Sequence, residues 1–403
     1  MDQEIRKLIR KETKRQNDGI ELIASENYAS KEVRSAAGSI LTNKYAEGYP
    51  NRRYYGGCEF IDQIENLAIE RAKQLFNCKY ANVQPHSGSQ ANAAAYKALL
   101  PNGGKILSLV LNDGGHLTHG SPVSFSSNLY QFAHYPLNKE GRLDYQIIEE
   151  IAIKEKPDII LAGYSAYPYI IDFKKFKEIA DKVGAYFIVD MAHIAGLVAT
   201  EVHPSPIPYA DIVTSTTHKT LRGPRGGIIL TNNEELYKRI NSAVFPYYQG
   251  GPLENIIAAK AIAFKEALTD GFKEYTKQLV NNTKACRDQL VELGAISSDT
   301  ENHLFNLNVL ASYGINGKEA QNKLEEIGIT VNKNMIPNDT LPPSKTSGIR
   351  IGFAAVTTRG CTLKQAKEIG IIIHNFLSNK IDVKKGKELV KEITSSWELI
   401  TQL

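Results

Sequence analysis

The feature that most constrains the fold is an alternation of helical patterns with short apolar strands over residues 60–231. Helical patterns lie at residues 61–76 and 89–99. Short apolar runs that indicate strands lie at residues 105–111, 158–162, 186–189, 211–214 and 227–230. Alternation of this kind is typical of a mostly parallel sheet with helices on its faces. The sequence therefore predicts an α/β fold whose ligands gather at the carboxyl ends of the strands.

A smaller α/β segment is expected to follow a long helical region at residues 253–293. Strands are predicted at residues 302–310, 329–333 and 348–353, and a helix is predicted at residues 318–326. A last helix is expected to begin at Thr362, because Gln365 stands three residues later and completes a capping box. We predict three parts, namely an N-terminal arm and extended segment at 1–53, a large domain at 54–279 and a small C-terminal domain at 280–403.

Composition and charge narrow the classes of partner. The chain of 403 residues carries a net charge of +4, and its lysines are scattered along most of the sequence. A weak positive charge without a basic stripe favours anionic small molecules over nucleic acid. The four cysteines have neither CxxC spacing nor a metal-ligand pattern, and no apolar stretch approaches the ~20 residues of a membrane span. We expect a cytoplasmic protein that binds no metal, membrane or nucleic acid.

Lys219 is the first candidate for catalysis. His218, Arg222 and Arg225 stand close to it in sequence, and like charges favour the neutral, nucleophilic form of an amine. Asp190 ends an apolar run, where a buried carboxylate suits a protonated pyridine nitrogen. A nucleophilic lysine and such a carboxylate are the two protein groups that pyridoxal 5′-phosphate (PLP) needs. Taken alone, Lys219 is equally compatible with an ordinary solvated lysine in a basic turn.

A candidate phosphate seat precedes the predicted helix at residues 89–99. Ser87, Gly88 and Ser89 combine hydroxyl donors, close backbone approach and a helix N-terminus, which together favour an anion. A plain N-cap at Ser89 is the alternative, because serine caps are common.

Three further polar residues follow predicted strands and are candidates for contact with a flat cofactor. His116 comes after two glycines, where an imidazole can stack on a pyridine ring. Ser165 lies just past another strand, and His193 stands three residues after Asp190. Each is also compatible with a purely structural role in its turn.

Two segments point to an amino-acid substrate and an aromatic ligand. Arg350 lies in a predicted strand among apolar neighbours, where its guanidinium suits a substrate carboxylate or an internal salt bridge. Glu47 stands among Tyr45, Tyr54 and Tyr55. Such a cluster suits an aromatic ligand with one carboxylate for proton transfer, or an aromatic interface patch. The residues alone leave both pairs of alternatives open.

These segments together resemble the serine hydroxymethyltransferase family of PLP enzymes. The likeness extends from ELIASENY to VTTRG and includes LTNKYAEGYP, VDMAHIAGLV and THKTLRGPRGG almost letter for letter. The resemblance implies the fold of the aspartate-aminotransferase type, called fold type I. It also implies reversible transfer of the serine hydroxymethyl carbon to tetrahydrofolate, giving glycine and 5,10-methylenetetrahydrofolate, in one-carbon and glycine/serine metabolism.

The resemblance assigns roles to matching positions and implies a homodimer with shared active sites. Lys219 would carry PLP as an internal aldimine beside Thr216. Asp190 would hold the pyridine nitrogen and stabilise a quinonoid, and His116 would stack on the ring. Further cofactor contacts are implied for Ser87, Gly88, Ser89, Ser165, His193 and His218, and through a neighbouring subunit for Tyr45, Gly250 and Gly251. Substrate and folate contacts are implied for Ser25, Arg350, Leu111, Gly115 and Asn334, and from the partner subunit for Glu47, which would transfer protons, Tyr54 and Tyr55.

The chain departs from the family pattern at several positions near the implied site. The departing residues are Tyr164, Tyr169, Tyr247, Tyr248, Asp113 and Phe353, with Tyr169 at a position usual for arginine. Their bulk bears on the fit of substrate and folate. A folate-independent PLP aldolase acting on β-hydroxy amino acids is the alternative enzyme, and a non-catalytic binding protein is the alternative of another class. Glu47 with its paired tyrosines favours the transferase, because the aldolase has no need of them.

Overall fold

The structure is a computed structural model that describes residues 2–403. Its α-helices are α1 (Gln3–Asp18), α2 (Lys31–Ala37), α3 (Glu59–Phe76), α4 (Gly88–Leu99), α5 (Phe125–Leu129), α6 (Tyr145–Glu155), α7 (Phe173–Val183), α8 (Ala195–Ala199), α9 (Glu234–Ser242), α10 (Glu254–Ala267), α11 (Asp270–Glu292), α12 (Val309–Tyr313), α13 (Gly317–Glu326), α14 (Ala354–Thr358), α15 (Leu363–Leu377) and α16 (Val383–Thr394). Its strands are β1 (Ile20–Glu21), β2 (Gly48–Tyr49), β3 (Arg52–Arg53), β4 (Tyr80–Asn82), β5 (Lys105–Leu109), β6 (Gln131–Tyr135), β7 (Ile159–Ala162), β8 (Tyr186–Asp190), β9 (Ile212–Thr216), β10 (Gly227–Thr231), β11 (Leu304–Asn308), β12 (Ile329–Thr330), β13 (Asn332–Asn334) and β14 (Gly348–Gly352).

The chain divides into two compact units. The central unit comprises residues 32–165 and 170–273, and the terminal unit comprises residues 2–31, 166–169 and 274–403. The predicted boundaries at 53/54 and 279/280 stay a prediction of domain organisation. No helix within residues 2–403 has both the length and the apolar character that a membrane span requires.

A seven-stranded sheet forms the core of the central unit. Its strand order is β4-β10-β9-β8-β7-β5-β6, in which β6, β5, β7, β8 and β9 run parallel to their neighbours. Strand β10 is antiparallel to both β9 and β4, so β4 points the same way as the parallel strands. Strands β7, β9 and β10 are buried along their whole length, as expected for a sheet covered on both faces. The predicted α/β class with a mostly parallel sheet is confirmed.

The carboxyl ends of the parallel strands meet at one edge of this sheet. Asp190 and Thr216 are the last residues of β8 and β9, and Ser165 follows β7 after two intervening residues. His116 lies in the loop after β5, and Ser87 lies between β4 and α4. The sheet topology therefore brings five predicted site residues to the same edge, as the sequence pattern indicated.

Helix α4 lies close to the sheet because its inward face is made of alanines. Ala91, Ala94 and Ala95 are buried in the same apolar cluster as the strand residues Ile106 and Ile229. The N-cap of α4 is Ser87, whose Oγ accepts a hydrogen bond from the Gln90 N–H at 3.2 Å. The alternative that Ser89 caps this helix is therefore wrong.

The terminal unit contains an antiparallel sheet of order β11-β14-β13 and a parallel pair of β1 with β12. In that pair Ile20 lies opposite Ile329. The fully buried Arg359 donates hydrogen bonds to the carbonyls of Gln16, Asn17 and Glu398 at 2.9–3.1 Å. A buried guanidinium thus fixes the end of α1 and the C-terminal segment in one unit.

Two differences between predicted and observed elements concern where an element ends. The helical region predicted at 253–293 is two helices, because α10 ends at Ala267 and α11 begins at Asp270. The strand predicted at 302–310 stops at Asn308, whose side chain accepts from the Ala311 N–H at 3.0 Å and caps α12. The capping box of Thr362 with Gln365 at the start of α15 is confirmed.

Candidate active site

The carboxylate of Asp190 lies at the carboxyl edge of the central sheet and has three hydrogen-bond partners. Its Oδ2 accepts a hydrogen bond from Asn92 Nδ2 at 2.9 Å and lies 3.1 Å from His119 Nε2. Its Oδ1 accepts from the Ala192 N–H at 3.1 Å. Burial alone would raise the pKa of Asp190, but the interactions with His119, His116 and Asn92 lower it below its ordinary value. The buried carboxylate is therefore ionised at neutral pH.

Asn92 connects Asp190 to the histidine side of the site. Its Nδ2 also donates to Thr118 Oγ1 at 2.8 Å, and its Oδ1 accepts from Thr214 Oγ1 at 2.6 Å. Thr118 Oγ1 in turn lies 2.7 Å from His116 Nδ1. Both N–H bonds of the Asn92 amide, and one of the two lone pairs of its oxygen, thus take part in hydrogen bonds. Sequence reasoning missed this residue, although a polar side chain within the alanine run of α4 was a usable signal.

His116 presents a neutral imidazole at the site. Burial, together with the neighbouring His119, lowers its pKa to about 4, so the ring is uncharged at neutral pH. The Thr118 N–H donates to His116 Nδ1 at 3.2 Å, which makes Nδ1 the acceptor and Nε2 the protonated nitrogen. A neutral aromatic ring is what stacking on a pyridine ring requires.

His116, His119 and Asp190 also form a group whose donor atoms lie within 4.8 Å of one another, a spacing that suits a metal ion. The hydrogen bonds of His119 to Asp190 and of His116 to Thr118 account for this spacing without an ion. His119 was not among the predicted site residues, and its position three residues after His116 was the available signal.

Lys219 lies in the loop between β9 and β10, and its side chain is 8% exposed. The reasoning that His218 adds a like charge beside it is wrong at neutral pH. Burial, together with Arg225 and Lys219, lowers the pKa of His218 to about 3, so this imidazole is neutral. Arg222 stacks on the ring of Phe272, with 5.4 Å between the guanidinium carbon and the ring centre. The like-charge argument for a nucleophilic Lys219 therefore depends on the two arginines.

The segment from Ser87 to Ser89 forms a concave seat at the N-terminus of α4. A Cβ atom at Gly88 would lie 2.7 Å from Thr216 Cγ2, so only glycine allows this approach of α4 to the end of β9. Two buried imidazole nitrogens next to these segments, His86 Nε2 and His218 Nδ1, have no hydrogen-bond partner among residues 2–403. A helix N-terminus beside buried polar atoms of this kind suits a phosphate group.

The loops after β5 and β7 approach each other and the end of β8. The Ser165 N–H donates to the Gly114 carbonyl at 2.8 Å, and Gly115 packs against the carbonyl of Leu109. Gly163 has φ +106°, and a Cβ there would lie 1.9 Å from the Asp190 carbonyl, so a side chain at this position would block the approach. Ser165 and Gly115 are therefore near the predicted cofactor edge.

Two other predicted residues lie near the same edge. Leu111 is partly exposed in a 3₁₀ turn after β5. His193 is buried just after β8, and its carbonyl accepts from Thr220 Oγ1 at 2.9 Å. The latter bond connects the segment after β8 to the loop that carries Lys219.

Glu47 and the predicted tyrosines form a separate cluster on the central unit. Tyr45 Oη lies 3.4 Å from Glu47 Oε1, and its ring contacts Tyr55 edge-to-face at 5.4 Å. Cβ atoms at Gly250 and Gly251 would lie 3.2 Å from Glu47 Oε1 and 3.3 Å from the Tyr45 ring. The pair of glycines therefore allows Tyr45 and Glu47 to pack closely against it.

This cluster is exposed in the single chain. The exposed fractions are 57% for Tyr45, 74% for Tyr54 and 48% for Tyr55. Large aromatic side chains that are exposed together are typical of a surface that another molecule covers.

Arg350, Ser25 and Asn334 belong to the terminal unit. Arg350 lies at the centre of β14, and its Nε donates to Asn332 Oδ1 on the adjacent β13 at 3.2 Å. Burial lowers the pKa of Arg350 to about 10, which leaves the guanidinium charged at neutral pH. Asn334 lies opposite Gly348, two positions along the same strand pair.

Ser25 reaches the same part of the terminal unit through the chain that precedes it. The Gly352 N–H donates to the Leu22 carbonyl at 2.8 Å, and a Cβ at Gly352 would lie 2.5 Å from Ala24. Residues 22–24 therefore pack against the end of β14, the strand that carries Arg350.

Some residues that depart from the resemblance are integrated into hydrogen bonds. Tyr164 Oη lies 2.9 Å from Tyr135 Oη, which also donates to the Leu161 carbonyl at 2.8 Å. Asp113 Oδ2 accepts from the Leu137 N–H at 3.0 Å, and burial raises the pKa of this carboxyl. Both residues are thus satisfied within the central unit.

Comparison with known proteins decides the family. The model of the serine hydroxymethyltransferase family matches residues 1–373. The chain belongs to the serine hydroxymethyltransferase family. Relatives named serine hydroxymethyltransferase include those of Mycoplasma mycoides subsp. mycoides, 58% identical over 397 residues (98% of this chain and 96% of the relative), and Mycoplasma capricolum subsp. capricolum, 57% over 401 residues (99% and 97%). That of Mycoplasma mobile is 56% identical over 404 residues (98% and 97%).

The family assignment confirms the resemblance, the fold type and the predicted activity. This serine hydroxymethyltransferase fold is the PLP-dependent fold type I. The function is transfer of the serine hydroxymethyl carbon to tetrahydrofolate in one-carbon metabolism, with PLP as cofactor and tetrahydrofolate as co-substrate. The comparisons lend no support to the folate-independent aldolase.

The residues of the central unit fit PLP. An ionised, buried carboxylate suits the pyridine nitrogen, and a neutral imidazole suits the ring face. The unpartnered nitrogens of His86 and His218 lie on segments that border the N-terminus of α4, where an anion is favoured. The family's cofactor and the chemistry of this edge therefore agree.

Proposed function

We propose that Lys219, Asp190 and His116 form the reaction centre for the hydroxymethyl transfer, with the phosphate of PLP at Ser87–Ser89. The observation that supports this most strongly is the Asp190 carboxylate, which is buried, ionised at neutral pH and bonded to several donors. Groups held by this many partners do not need to reorganise when charge develops beside them.

The roles of these side chains follow from their chemistry. PLP, when bound, withdraws electrons from the substrate bond that breaks. Asp190 holds a proton at the ring nitrogen through the attraction between opposite charges. His116 covers one ring face without adding charge. The Lys219 amine would hold the cofactor as a nucleophile and would be available to move a proton, with Thr216 beside it.

We further propose that Arg350 and Ser25 bind the carboxylate of serine or glycine. The planar guanidinium of Arg350 is charged at neutral pH and suits a bidentate contact with a carboxylate. Substrate or folate contacts of Leu111, Gly115 and Asn334, and ring or phosphate contacts of Ser165, His193 and His218, belong to the same proposal.

The protein acts, in this proposal, as a cytoplasmic homodimer whose sites are shared. Glu47, Tyr54 and Tyr55 would serve the site of the partner, with Glu47 in proton transfer, and Tyr45 with Gly250 and Gly251 would complete the partner's phosphate site. The exposed aromatic surface around Glu47 supports this, because a second copy would cover it.

Mixed dimers test the shared site directly. One chain carries Asp190→Asn, which preserves shape and removes the charge, and the other carries Glu47→Gln. Each homodimer is expected to lose about 10²–10³-fold of serine cleavage with tetrahydrofolate. Differently tagged chains, co-expressed and purified on both tags, are expected to recover about half of the parental rate per dimer, because one of two sites is intact.

The control is a mixed dimer with both substitutions in the same chain. If Glu47 acts within its own chain, this control keeps one intact site and the first mixed dimer keeps none. That reversal of activities would refute the sharing, whereas full activity of the Asp190→Asn homodimer would refute the reaction centre.

A further inference from the structure

Lys260 is a buried lysine that has no part in the proposed reaction centre or in the proposed substrate contacts. It lies on α10 in the central unit, and 1% of the residue is exposed. Its Nζ donates hydrogen bonds to three backbone carbonyls, those of Val83 at 2.7 Å, Gly227 at 2.9 Å and Pro85 at 3.0 Å. A lysine without solvent contact is unusual. Because its hydrogen bonds go to backbone carbonyls, Lys260 holds in place the chain segments that carry them.

Three carbonyl acceptors match the donor count of a protonated amine. An ammonium group has three N–H bonds and no acceptor, so the geometry around Lys260 satisfies it completely. Burial lowers the pKa of Lys260 to about 7, while the carboxylates of Glu65 and Glu254 oppose this shift. The three carbonyl oxygens are thus the groups that contact the ammonium directly.

The three carbonyls belong to the chain segments that shape the phosphate seat. Val83 and Pro85 lie between β4 and Ser87, and Gly227 begins β10. The Gly227 N–H donates to the same Pro85 carbonyl at 3.0 Å. A Cβ at Gly227 would lie 2.4 Å from the Ser87 carbonyl, so the two segments are in close contact next to the N-cap of α4.

We propose that Lys260 is a positioning residue for cofactor phosphate binding, whose ammonium holds segment 83–87 against β10 so that Ser87–Ser89 face the phosphate. The inference rests on the proposed phosphate seat. Without the ammonium, the carbonyls of Val83 and Gly227 lose this donor, the Pro85 carbonyl keeps only the Gly227 N–H, and the segment relaxes away from β10. The hydrogen bonds of Asp190 and His116, which would contact the pyridine ring, go to Asn92, His119, Ala192 and Thr118 and not to residues 83–87.

The experiment compares PLP with pyridoxal, which has the same ring and aldehyde but no phosphate. Dissociation constants for both compounds are measured by absorbance and by quenching of protein fluorescence on apo-protein of the parent and of Lys260→Met. The expected result is a loss of about 10-fold or more in PLP affinity with less than about 3-fold change for pyridoxal. Lys265→Met, on the exposed face of the same helix, is the matched control and is expected to change neither.

A second variant displaces the ammonium instead of removing it. A Cβ at Gly226 would lie 2.5 Å from Lys260 Cε and 3.0 Å from Nζ, so Gly226→Ala pushes the side chain from its carbonyls. The same selective loss for PLP is expected. The Gly226→Ala variant supplies the test if Lys260→Met does not fold.

Ser89→Ala separates this inference from the proposed seat. If Ser89→Ala lowers PLP affinity selectively but Lys260→Met and Gly226→Ala lower both compounds equally or neither, Lys260 has no role in phosphate positioning. If Ser89→Ala, Lys260→Met and Gly226→Ala all leave the ratio of PLP to pyridoxal affinity at the parental value, the seat assignment itself fails.

Discussion

Replacing Asn92 by aspartate changes one amide group for a carboxylate and tests the charge balance of the site. In the parent, Asn92 Nδ2 lies 2.9 Å from Asp190 Oδ2 and donates to it. In Asn92→Asp an oxygen occupies that position. Two ionised carboxylates would then face each other in a buried setting where neither contacts solvent freely.

The magnitude follows from Coulomb's law at the observed distance. Two unit charges 2.9 Å apart repel by about 6 kcal/mol at an effective dielectric constant of about 20. Because protonation of one carboxyl costs less than this repulsion, the folded variant retains one proton at neutral pH. The pKa of the carboxyl pair is therefore raised above the ordinary aspartate range.

The stability of the variant consequently depends on pH. The unfolded chain has lost this proton well below about pH 5, so the folded state binds more protons and stability falls as pH rises. We expect the deficit relative to the parent to grow by about 1.4 kcal/mol per pH unit, up to about 4 kcal/mol between about pH 5 and pH 8. Urea unfolding of cofactor-free protein at several pH values measures it.

Asn92→Leu is the control, because it removes the same donors without adding a carboxyl. Its deficit is expected to be a few kcal/mol from unsatisfied buried partners, about 1–3 kcal/mol for each, and to change little with pH. If the curves of Asn92→Asp and the parent run parallel from about pH 5 to pH 8, the account of a tightly held, ionised Asp190 is refuted.

Two further substitutions test packing in the central unit. Arg53→Met removes the buried partner of Glu65 at 2.6 Å and is expected to lower the free energy of unfolding in urea by about 3–5 kcal/mol. Arg52→Met at the exposed neighbour is the control and is expected to be nearly neutral, and equal effects of the two substitutions would contradict this account. Gly88→Ala is expected to lower stability by about 1–3 kcal/mol through its clash with Thr216 Cγ2. Adding Thr216→Ser removes that methyl group and should restore the thermal midpoint, and no recovery would show that the clash is not the cause.

Five of the seven strands of the central sheet were predictable because they are short apolar runs separated by helical patterns, whereas β4 and β6 were not among the predicted strands. The ends of these five strands differ from the prediction by at most two residues, and in the terminal unit a side-chain cap shortens the strand predicted at 302–310. Asn308 lies in a run that alternates apolar and polar residues and therefore predicts a strand. Its side chain instead caps α12, and the strand ends there. Such competition between a strand and a local cap depends on backbone geometry that the residue types alone do not specify.

The candidate site was predictable where residues follow strands, since parallel topology brings their ends together. Asp190 and Thr216 are residues of this kind. The hydrogen-bond partners of Lys260 and Asn92 were not predictable, because they lie far away in sequence, and a lysine within a helical pattern normally faces solvent. The neutral state of His218 was also missed, since burial has no local sequence pattern.

The pairing of β1 with β12 bears on the order in which the chain folds during synthesis. Ile20 is synthesised 309 residues before its partner Ile329. At about 5–20 residues per second this strand waits on the order of 15 to 60 s for its partner. Arg359, which binds the carbonyls at the end of α1, arrives later still. The residues of the central unit are all synthesised by position 273, so that unit can fold while Ile20 and Glu21 still lack their partner strand.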